Sequence, residues 1–337
     1  MLLPIKLMGE MICLGIESTA HTFGVGISDD KGKILANERD IYSPAAGSGI
    51  VPMDAAEHHR NAADHVVAAA LEKAGLKIHD ISLIAYSRGP GLPPCLHAGA
   101  NKAVELAKAN KIPLVPVNHC VAHVEIGRVT TGFTDPVVVY VSGGNTQILS
   151  FSEGRYRCFG ETMDIGLGNA LDKFGRAVGL DFPQAPKIEQ LALKGKWVEL
   201  PYVVKGMDLS FSGIVTECIR KHEKGEKIED LCFSIQEAFF AMLTEVTERA
   251  LAHLGKNQVL LTGGVAANKR LQEMLDIMCR ERGGAFKVVP REFSGDQGAM
   301  IAWAGVLAHN SGEKISTEKA DIDPRWRTDD VEAKWVK

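Results

Sequence analysis

His119-Cys-Val-Ala-His123 sets two imidazoles four residues apart. On a helix that spacing stacks both rings on one face, with about 5–6 Å between Cβ atoms. Each can then turn a ring nitrogen toward one ion, and imidazole nitrogen suits a borderline metal such as zinc or iron. The plainer alternative is that His123 packs in a core while His119 caps the helix; with eleven histidines in the chain, a chance H-x-x-x-H is not rare. Two histidines leave coordination open. Asp296, in Phe293-Ser-Gly-Asp-Gln-Gly298, is a candidate oxygen ligand at a glycine-flanked turn before a helix, and its plainer role is an N-cap. Zinc peptidases carry a similar pair, but they place a Glu directly after the first histidine to deprotonate a metal-bound water. Here that position is Cys120, and Glu125 falls on a different face of the helix. The expected role for a metal is therefore to orient an anionic substrate.

Two glycine loops offer the anion a seat. Ser142-Gly-Gly-Asn-Thr146 and Thr262-Gly-Gly-Val-Ala-Ala-Asn268 each follow a β-branched or apolar run. Small residues at a strand end let several backbone N–H groups converge without side-chain obstruction. Glu17-Ser-Thr19 ends a similar run near the N-terminus, and its carboxylate and hydroxyls could serve phosphate oxygens or a bound ion. Neither loop fits G-x-x-x-x-G-K-[ST] or G-x-G-x-x-G, which excludes a Walker or dinucleotide reading. Each loop alone reads equally well as an ordinary hairpin turn; three at corresponding strand ends argue for a shared site.

The elements that must position these residues come in two echoing series. A strand meander over residues 12–17, 22–28 and 34–37 precedes a helix over 55–74 and a strand over 81–86. A helix over 98–110, a strand over 114–117 and a helix beginning near His119 follow. The pattern restarts with strands over 137–141 and 147–151. It continues through a Gly- and Pro-punctuated stretch to a helix in which Ile235, Phe239, Met242, Val246 and Ala250 recur at spacings of three and four. A strand over 258–261 and a helix marked by Leu271, Leu275 and Met278 close it. Duplicated halves make a cleft, and the expected lobes are residues 11–134 and 135–337. Residues 315–337 are charged and poor in core signals, as in a surface strap or a linker.

At 337 residues the chain exceeds what one core comfortably fills, so two lobes fit. Hydrophobic residues make up 45% and charged residues 24%, which excludes a disordered chain. A net charge of −4 offers no global field for a phosphate backbone, so nucleic-acid contact must be local or shared with partners. Seven scattered cysteines without C-x-x-C exclude a disulfide framework and a thiolate zinc cluster, and fit a reducing cytoplasm. Residues 1–10 are apolar but too short for a secretory core and read as an extension; no run reaches membrane-span length.

Taken in order, Glu17-Ser-Thr19, Ser87-x-Gly-Pro-Gly91, Val117-Asn-His-Cys-Val-Ala-His123, Tyr140-Val-Ser-Gly-Gly-Asn-Thr-Gln147, Phe211-Ser-Gly213, Gly263-Gly-Val-Ala-Ala-Asn268 and Gly295-Asp296 resemble the universal tRNA N6-adenosine threonylcarbamoyltransferase family. The closest likeness is to its archaeal and eukaryotic branch, found in the KEOPS complex. The resemblance runs from Met11 to the C-terminus. It implies an α/β, two-lobed, actin-like and sugar-kinase-like ATPase fold (ASKHA) with a duplicated core and a nucleotide in the cleft. It implies one iron or zinc ion per subunit, held by His119, His123, Tyr140 and Asp296, with His119 and His123 central to catalysis. It places the nucleotide against Glu17, Ser18 and Thr19, against Tyr140, Val141, Ser142, Gly143, Gly144 and Asn145, and against Asp172, Ala185, Glu189, Gly264 and Asn268. Asp172, Glu189 and Asn268 would hold ribose and adenine; the plainer role of the two acids is as solvated helix carboxylates.

The implied reaction moves threonylcarbamoyl from threonylcarbamoyl-AMP to N6 of the adenosine beside the anticodon in tRNAs reading ANN codons, releasing AMP. ATP or AMP are the other implied nucleotides. A nucleotide-gated regulatory ATPase that only scaffolds a tRNA-modifying complex is the alternative of a different class, and a metallopeptidase the third. Implied partners are tRNA and KEOPS-type subunits, including a small atypical protein kinase and a dimerising small subunit, in the cytoplasm and away from membranes. Ala185 stands where the family usually has glycine, and Arg88 where related chains tend to carry a neutral polar residue. Arg155 with Arg157, Lys269-Arg270, and Arg280 with Arg282 are candidate tRNA contacts, or else solvated faces. The Arg325-Trp-Arg-Thr-Asp-Asp330 tail resembles the segment that in some archaeal relatives continues into a fused kinase.

Overall fold

The computed structural model describes residues 11–44 and 49–336; the extension expected over residues 1–10 lies outside the described residues. The first half runs β1 (Ile12–Glu17), β2 (Thr22–Asp29), β3 (Ile34–Ile41), α1 (Pro52–Ala74), β4 (Leu83–Gly89), α2 (Pro93–Asn110), β5 (Leu114–Asn118) and α3 (His119–Thr131). The second runs β6 (Val137–Val141), β7 (Thr146–Ser152), β8 (Arg155–Glu161), α4 (Leu167–Ala177), α5 (Gln184–Ala192), a ribbon of β9 (Val204–Lys205) and β10 (Asp208–Leu209), α6 (Ser212–Glu223), α7 (Ile228–Leu254), β11 (Gln258–Thr262), α8 (Lys269–Glu281), β12 (Ala285–Val288) and α9 (Gly298–Asn310).

The two sheets are built alike. The first is ordered β3-β2-β1-β4-β5 and the second β8-β7-β6-β11-β12. In each, three antiparallel strands open the sheet and two parallel strands follow. The expected duplication is therefore a matched strand topology. β1 and β2 are buried on both faces, which is why they read as near-continuous apolar runs rather than alternating ones. α1 and α2 begin earlier than their apolar periodicity predicts, because each opens on a proline in its first turn, where the missing N–H has no intrahelical partner to lose.

The outer helices α1 and α2 cover one face of the first sheet, with Ala62, Val66, Ala70 and Ala103 against Leu14, Ile16 and Val25. On the second, α7 presents Ile235, Phe239, Met242 and Val246 to Val137, Val139 and Leu261. Between the sheets lie α3 and α9, and α3 also sets Ala122 and Ile126 against Val115 and Val117 of the first sheet. The last helix, α9, packs Met300, Ile301 and Ala302 on Cys13, Leu83 and Ala85 of the first sheet. α3 puts Val121 and Val124 on Val138 and Leu260 of the second. A boundary at residue 134/135 separates the sheets but not this helix pair. Contact between α9 and the first sheet is backbone on backbone: a Cβ at Gly15 would lie 2.1 Å from the Ala302 nitrogen, and one at Gly26 2.0 Å from that of Ala299.

The C-terminal segment is a strap across both halves. Ile315 and Ile322 pack against the first core, and Asn118 Nδ2 donates to the carbonyls of Trp326 and Arg327 at 3.1 and 3.3 Å. Farther on, the Ala333 amide donates to the Gly154 carbonyl, 2.9 Å away, on the β7–β8 hairpin. Arg88, which adds a charge by the Gly-Pro-Gly turn, pairs with Asp321 at 2.9 Å and lies over the Trp326 ring, so its charge is used within the strap.

Candidate metal and nucleotide site

β5 ends in Asn118, whose side chain accepts from the amides of Cys120 and Val121 at 3.0 and 3.1 Å. That cap starts α3 at His119. His119 is thus the first helical residue rather than the cap, and His123 follows one turn later; their ring centroids are 4.7 Å apart. α9 is capped by Gln297, which accepts from the Met300 amide at 2.9 Å, so Asp296 is not the N-cap that its plainer reading assigned. Its Oδ1 lies 3.5 Å from His119 Nε2 and 3.2 Å from His123 Nε2. One donor atom from each of the three falls within 4.8 Å of the others. The Thr262 hydroxyl donates to the His123 carbonyl at 3.1 Å, fixing α3 against the end of β11.

Glu17 has a role the sequence did not reveal. Fully buried at the end of β1, it accepts from the Thr19 amide at 2.7 Å and the Thr19 hydroxyl at 2.5 Å, and its other oxygen lies 3.0 Å from His119 Nδ1. This is the carboxylate–histidine arrangement that fixes the tautomer and orientation of a metal-ligating imidazole. The signal was a run of polar residues closing an otherwise apolar buried strand. Ser18 is tied in by its amide, 3.0 Å from the Ser87 hydroxyl.

The residues fit a cation. Tyr140, fully buried, lies with its ring centroid 5.0 Å from that of His123, and its hydroxyl is buried without a hydrogen-bond partner. A buried polar atom left so costs about 1–3 kcal/mol, which a ligand would relieve. The charges are matched to this. Burial opposes charge on His119, but the Glu17 and Asp296 carboxylates outweigh it and raise its pKa to about 9. For His123, burial wins and lowers the pKa. Asp296 is penalised by burial, yet the two histidines hold its carboxyl well below the usual range. Burial raises the Tyr140 phenol far above its ordinary value. Neither Cys120, which follows His119, nor Glu125 is set up as a peptidase base. Burial pushes the Cys120 thiol up to about 12, and Glu125 is bound by Arg128 at 3.0 Å, Trp335 at 2.8 Å and the Tyr156 hydroxyl.

Next to Tyr140 the β6–β7 turn closes on itself. The Ser142 amide donates to the Asn145 carbonyl at 2.8 Å and the Asn145 amide to the Ser142 hydroxyl at 3.1 Å. An amide seat therefore falls to Gly143 and Gly144, and nothing lies within 4 Å of the position a Gly144 Cβ would take. Val141 is buried beneath. Gly263, at φ +98°, passes so close to the Val141 carbonyl that a Cβ would sit 2.2 Å from its oxygen, which joins the two glycine loops; Gly264 faces open space.

The remaining expected contacts form one wall. Asp172 is raised by burial, partly offset by the amides of Ala185 and Gln184 at the start of α5. Glu189, on α5, accepts from the Lys269 amide at 2.7 Å. Asn268 caps α8 by accepting from Arg270 and Leu271 at 3.0 and 3.2 Å and donates to Gln236 at 2.9 Å, so most of its polar capacity is engaged within the protein. Asp164 was missed. Its carboxylate gathers Ser210, Phe211 and Ser212, binding the Phe211-Ser-Gly213 motif to the turn before α4. The arginines of the basic clusters are paired: Arg155 with Glu332, Arg157 with Glu153, Arg270 with Glu237 and Glu273, Arg280 with Asp276, and Arg282 with Glu248, while Lys269 Nζ donates to Gln272 at 3.3 Å.

A family model described as TsaD, tRNA N6-adenosine threonylcarbamoyltransferase, matches residues 33–303. The chain belongs to that family. A tRNA N6-adenosine threonylcarbamoyltransferase of Thermococcus kodakarensis is 54% identical over 96% of this chain and 100% of its own. One from Methanopyrus kandleri is 52% identical, with 97% of each chain covered. A probable bifunctional tRNA threonylcarbamoyladenosine biosynthesis protein of Methanothermobacter thermautotrophicus is 52% identical over 97% of this chain but 61% of its own length. Among solved structures, T. kodakarensis HypF aligns at TM-score 0.62 and 16% identity, covering 89% of this chain and 48% of that one. Component A of the Acidaminococcus fermentans (R)-2-hydroxyglutaryl-CoA dehydratase aligns at TM-score 0.55 and 14% identity, covering 88% and 98%. At such identity the likeness is one of fold, and the fold of this threonylcarbamoyltransferase family member is the two-lobed, actin-like and sugar-kinase-like one.

Proposed function

We propose that the chain transfers a threonylcarbamoyl group from threonylcarbamoyl-AMP to N6 of a tRNA adenosine beside the anticodon. The observation that carries this is the convergence of His119, His123 and Asp296 within 4.8 Å, adjoining Tyr140 and the glycine turn that follows it. Iron or zinc is the ion this donor set suits, with the Tyr140 oxygen completing it. When bound, such an ion supplies positive charge beside the phosphate of the mixed anhydride. The protein's own contribution is positioning and electrostatics. Gly143 and Gly144 offer amides to the phosphate, and Asp172, Ala185, Glu189, Gly264 and Asn268 form the wall for ribose and adenine. Glu17 and Thr19 keep His119 in one orientation. The adenosine amine then attacks the carbamoyl carbon, the bond to the phosphate oxygen breaks, and AMP leaves.

The acidic net charge and the pairing of the arginines in these clusters make tRNA binding by this chain alone weak. We assign the missing contacts to KEOPS-type partners, among them a small atypical kinase and a dimerising small subunit, in the cytoplasm. Support comes from the bifunctional relatives, in which this chain spans only 60–61% of the length. Among the described residues no helix is long and apolar enough to cross a membrane. The test is to supply purified protein with threonylcarbamoyl-AMP and unmodified tRNA, then measure AMP and the modified nucleoside together. Equal yields of both, lost in His119→Ala, are expected; nucleotide hydrolysis without modified nucleoside would point to the scaffold role.

A further inference from the structure

A second group of titratable side chains lies on α1, away from the ion site. His59 has no exposed surface, and its ring lies 5.7 Å from that of Phe23. Its Nε2 is 3.0 Å from the Ala20 carbonyl oxygen and its Nδ1 is 3.3 Å from Nδ1 of His58. His58 Nε2 lies 3.1 Å from one oxygen of Asp40, and His65 Nε2 3.0 Å from the other.

The acceptor at the buried end fixes the His59 hydrogen. A carbonyl oxygen only accepts, so His59 Nε2 carries a proton and donates it. Burial holds the His59 pKa down to about 4, so at neutral pH its Nδ1 is bare, 3.3 Å from the His58 ring. Asp40 is ionised: burial is the largest single influence and raises its pKa, but the hydrogen bonds and charges of His58 and His65 together outweigh it and lower the pKa. His58 bridges Asp40 and His59 through its two ring nitrogens, which completes the chain Asp40–His58–His59–Ala20.

Ala20 belongs to the turn between β1 and β2. The same turn carries Thr19, which holds Glu17, and Glu17 orients His119. We propose that His59 is a positioning residue for the transfer reaction: by donating to Ala20 it fixes this turn, and through it the carboxylate that sets His119. The inference rests on reading His119 as an ion ligand. The titratable and charged groups beside His59 and its partner His58 are Glu17 and His21 from β1 and the turn, Asp40 from β3, and His58 and His65 from α1.

His59→Phe keeps a ring against Phe23 and removes the donor, while His59→Gln restores an N–H near the lost one. In the full-length protein we expect H59F to lower kcat about 10-fold with KM for tRNA little changed, and H59Q to recover most of the loss. Imidazole 15N shifts should show His59 protonated at Nε2 alone, whatever the ion content. A folded H59F with wild-type kcat, or a His59 protonated at Nδ1, overturns the proposal. If H59F does not fold, the 15N readout on wild-type protein still decides, since a bare Nε2 on His59 overturns the proposal. Elemental analysis separates the underlying reading: wild-type protein that takes up neither zinc nor iron retires the ligand assignment, while the contrast between H59F and H59Q still decides the role of His59.

Discussion

Glu17 and His119 meet at 3.0 Å, carboxylate to Nδ1, across 102 residues of sequence. One lies at the end of the first strand and the other at the start of the helix behind the fifth, so the contact exists only in the folded sheet. Replacing Glu17 by Gln removes the charge that steadies the imidazole. Zinc affinity should fall by about 10- to 100-fold, read by competition with a chelator, and unchanged affinity would deny Glu17 this role.

Tyr140→Phe separates fold from function. The phenol oxygen is buried without a hydrogen-bond partner, so deleting it should leave the ion-free protein within about 1 kcal/mol of wild type or slightly more stable. Ion affinity should nevertheless drop. Urea unfolding with and without zinc measures both, and a clear loss of stability in the ion-free form would show that the hydroxyl serves the fold.

His59 sets an acid limit on stability. Its folded pKa of about 4 lies below the ordinary 6.5, so as pH falls the unfolded chain takes up a proton that the folded one refuses. The contribution is fully present above about pH 6.5 and is lost progressively toward pH 4, by at most about 3 kcal/mol. Urea unfolding at pH 7 and pH 5 should show the decline, and H59Q, which cannot titrate, should show less of it.

Removing Glu125 should loosen the C-terminal strap. Its carboxylate holds Arg128 and Trp335, and Glu125→Ala leaves the guanidinium in a largely buried site without its partner. A loss of about 3 kcal/mol is expected, with faster proteolysis near Trp335. A variant that melts and digests like wild type would show that the strap is held elsewhere.

Gly26→Ala should disable the protein without touching the site. The added methyl would sit 2.0 Å from the Ala299 nitrogen, and neither the strand nor α9 can yield easily. Destabilisation of at least about 3 kcal/mol is expected, with weaker ion binding because α9 follows directly on Asp296. A normal melting temperature would contradict the close approach.

Much of this was legible because it is local. The histidine spacing, the glycine turns after β6 and β11 and the repeated strand order each occupy a few neighbouring residues, and local geometry decides them. Partnerships were not. Asp296 could be named as a carboxylate at a turn, but its approach to His123 spans 173 residues. Asn268 was read for a ligand, although an Asn directly before a helix is as good a signature of a cap, and the structure uses it as one. His59 left no mark, because a histidine pair on a long helix looks like part of its polar face until packing seals one of the two.

The placing of α3 and α9 has a mechanical consequence. The histidines sit on a helix wedged between both sheets, while Asp296 leads into a helix seated on the first. Were an ion held by all three, tilting one sheet against the other would pull on its ligands, and the ion would act as a latch between the lobes. A nucleotide that changed that tilt would change the hold on the ion, and the ion would change nucleotide affinity by the same factor.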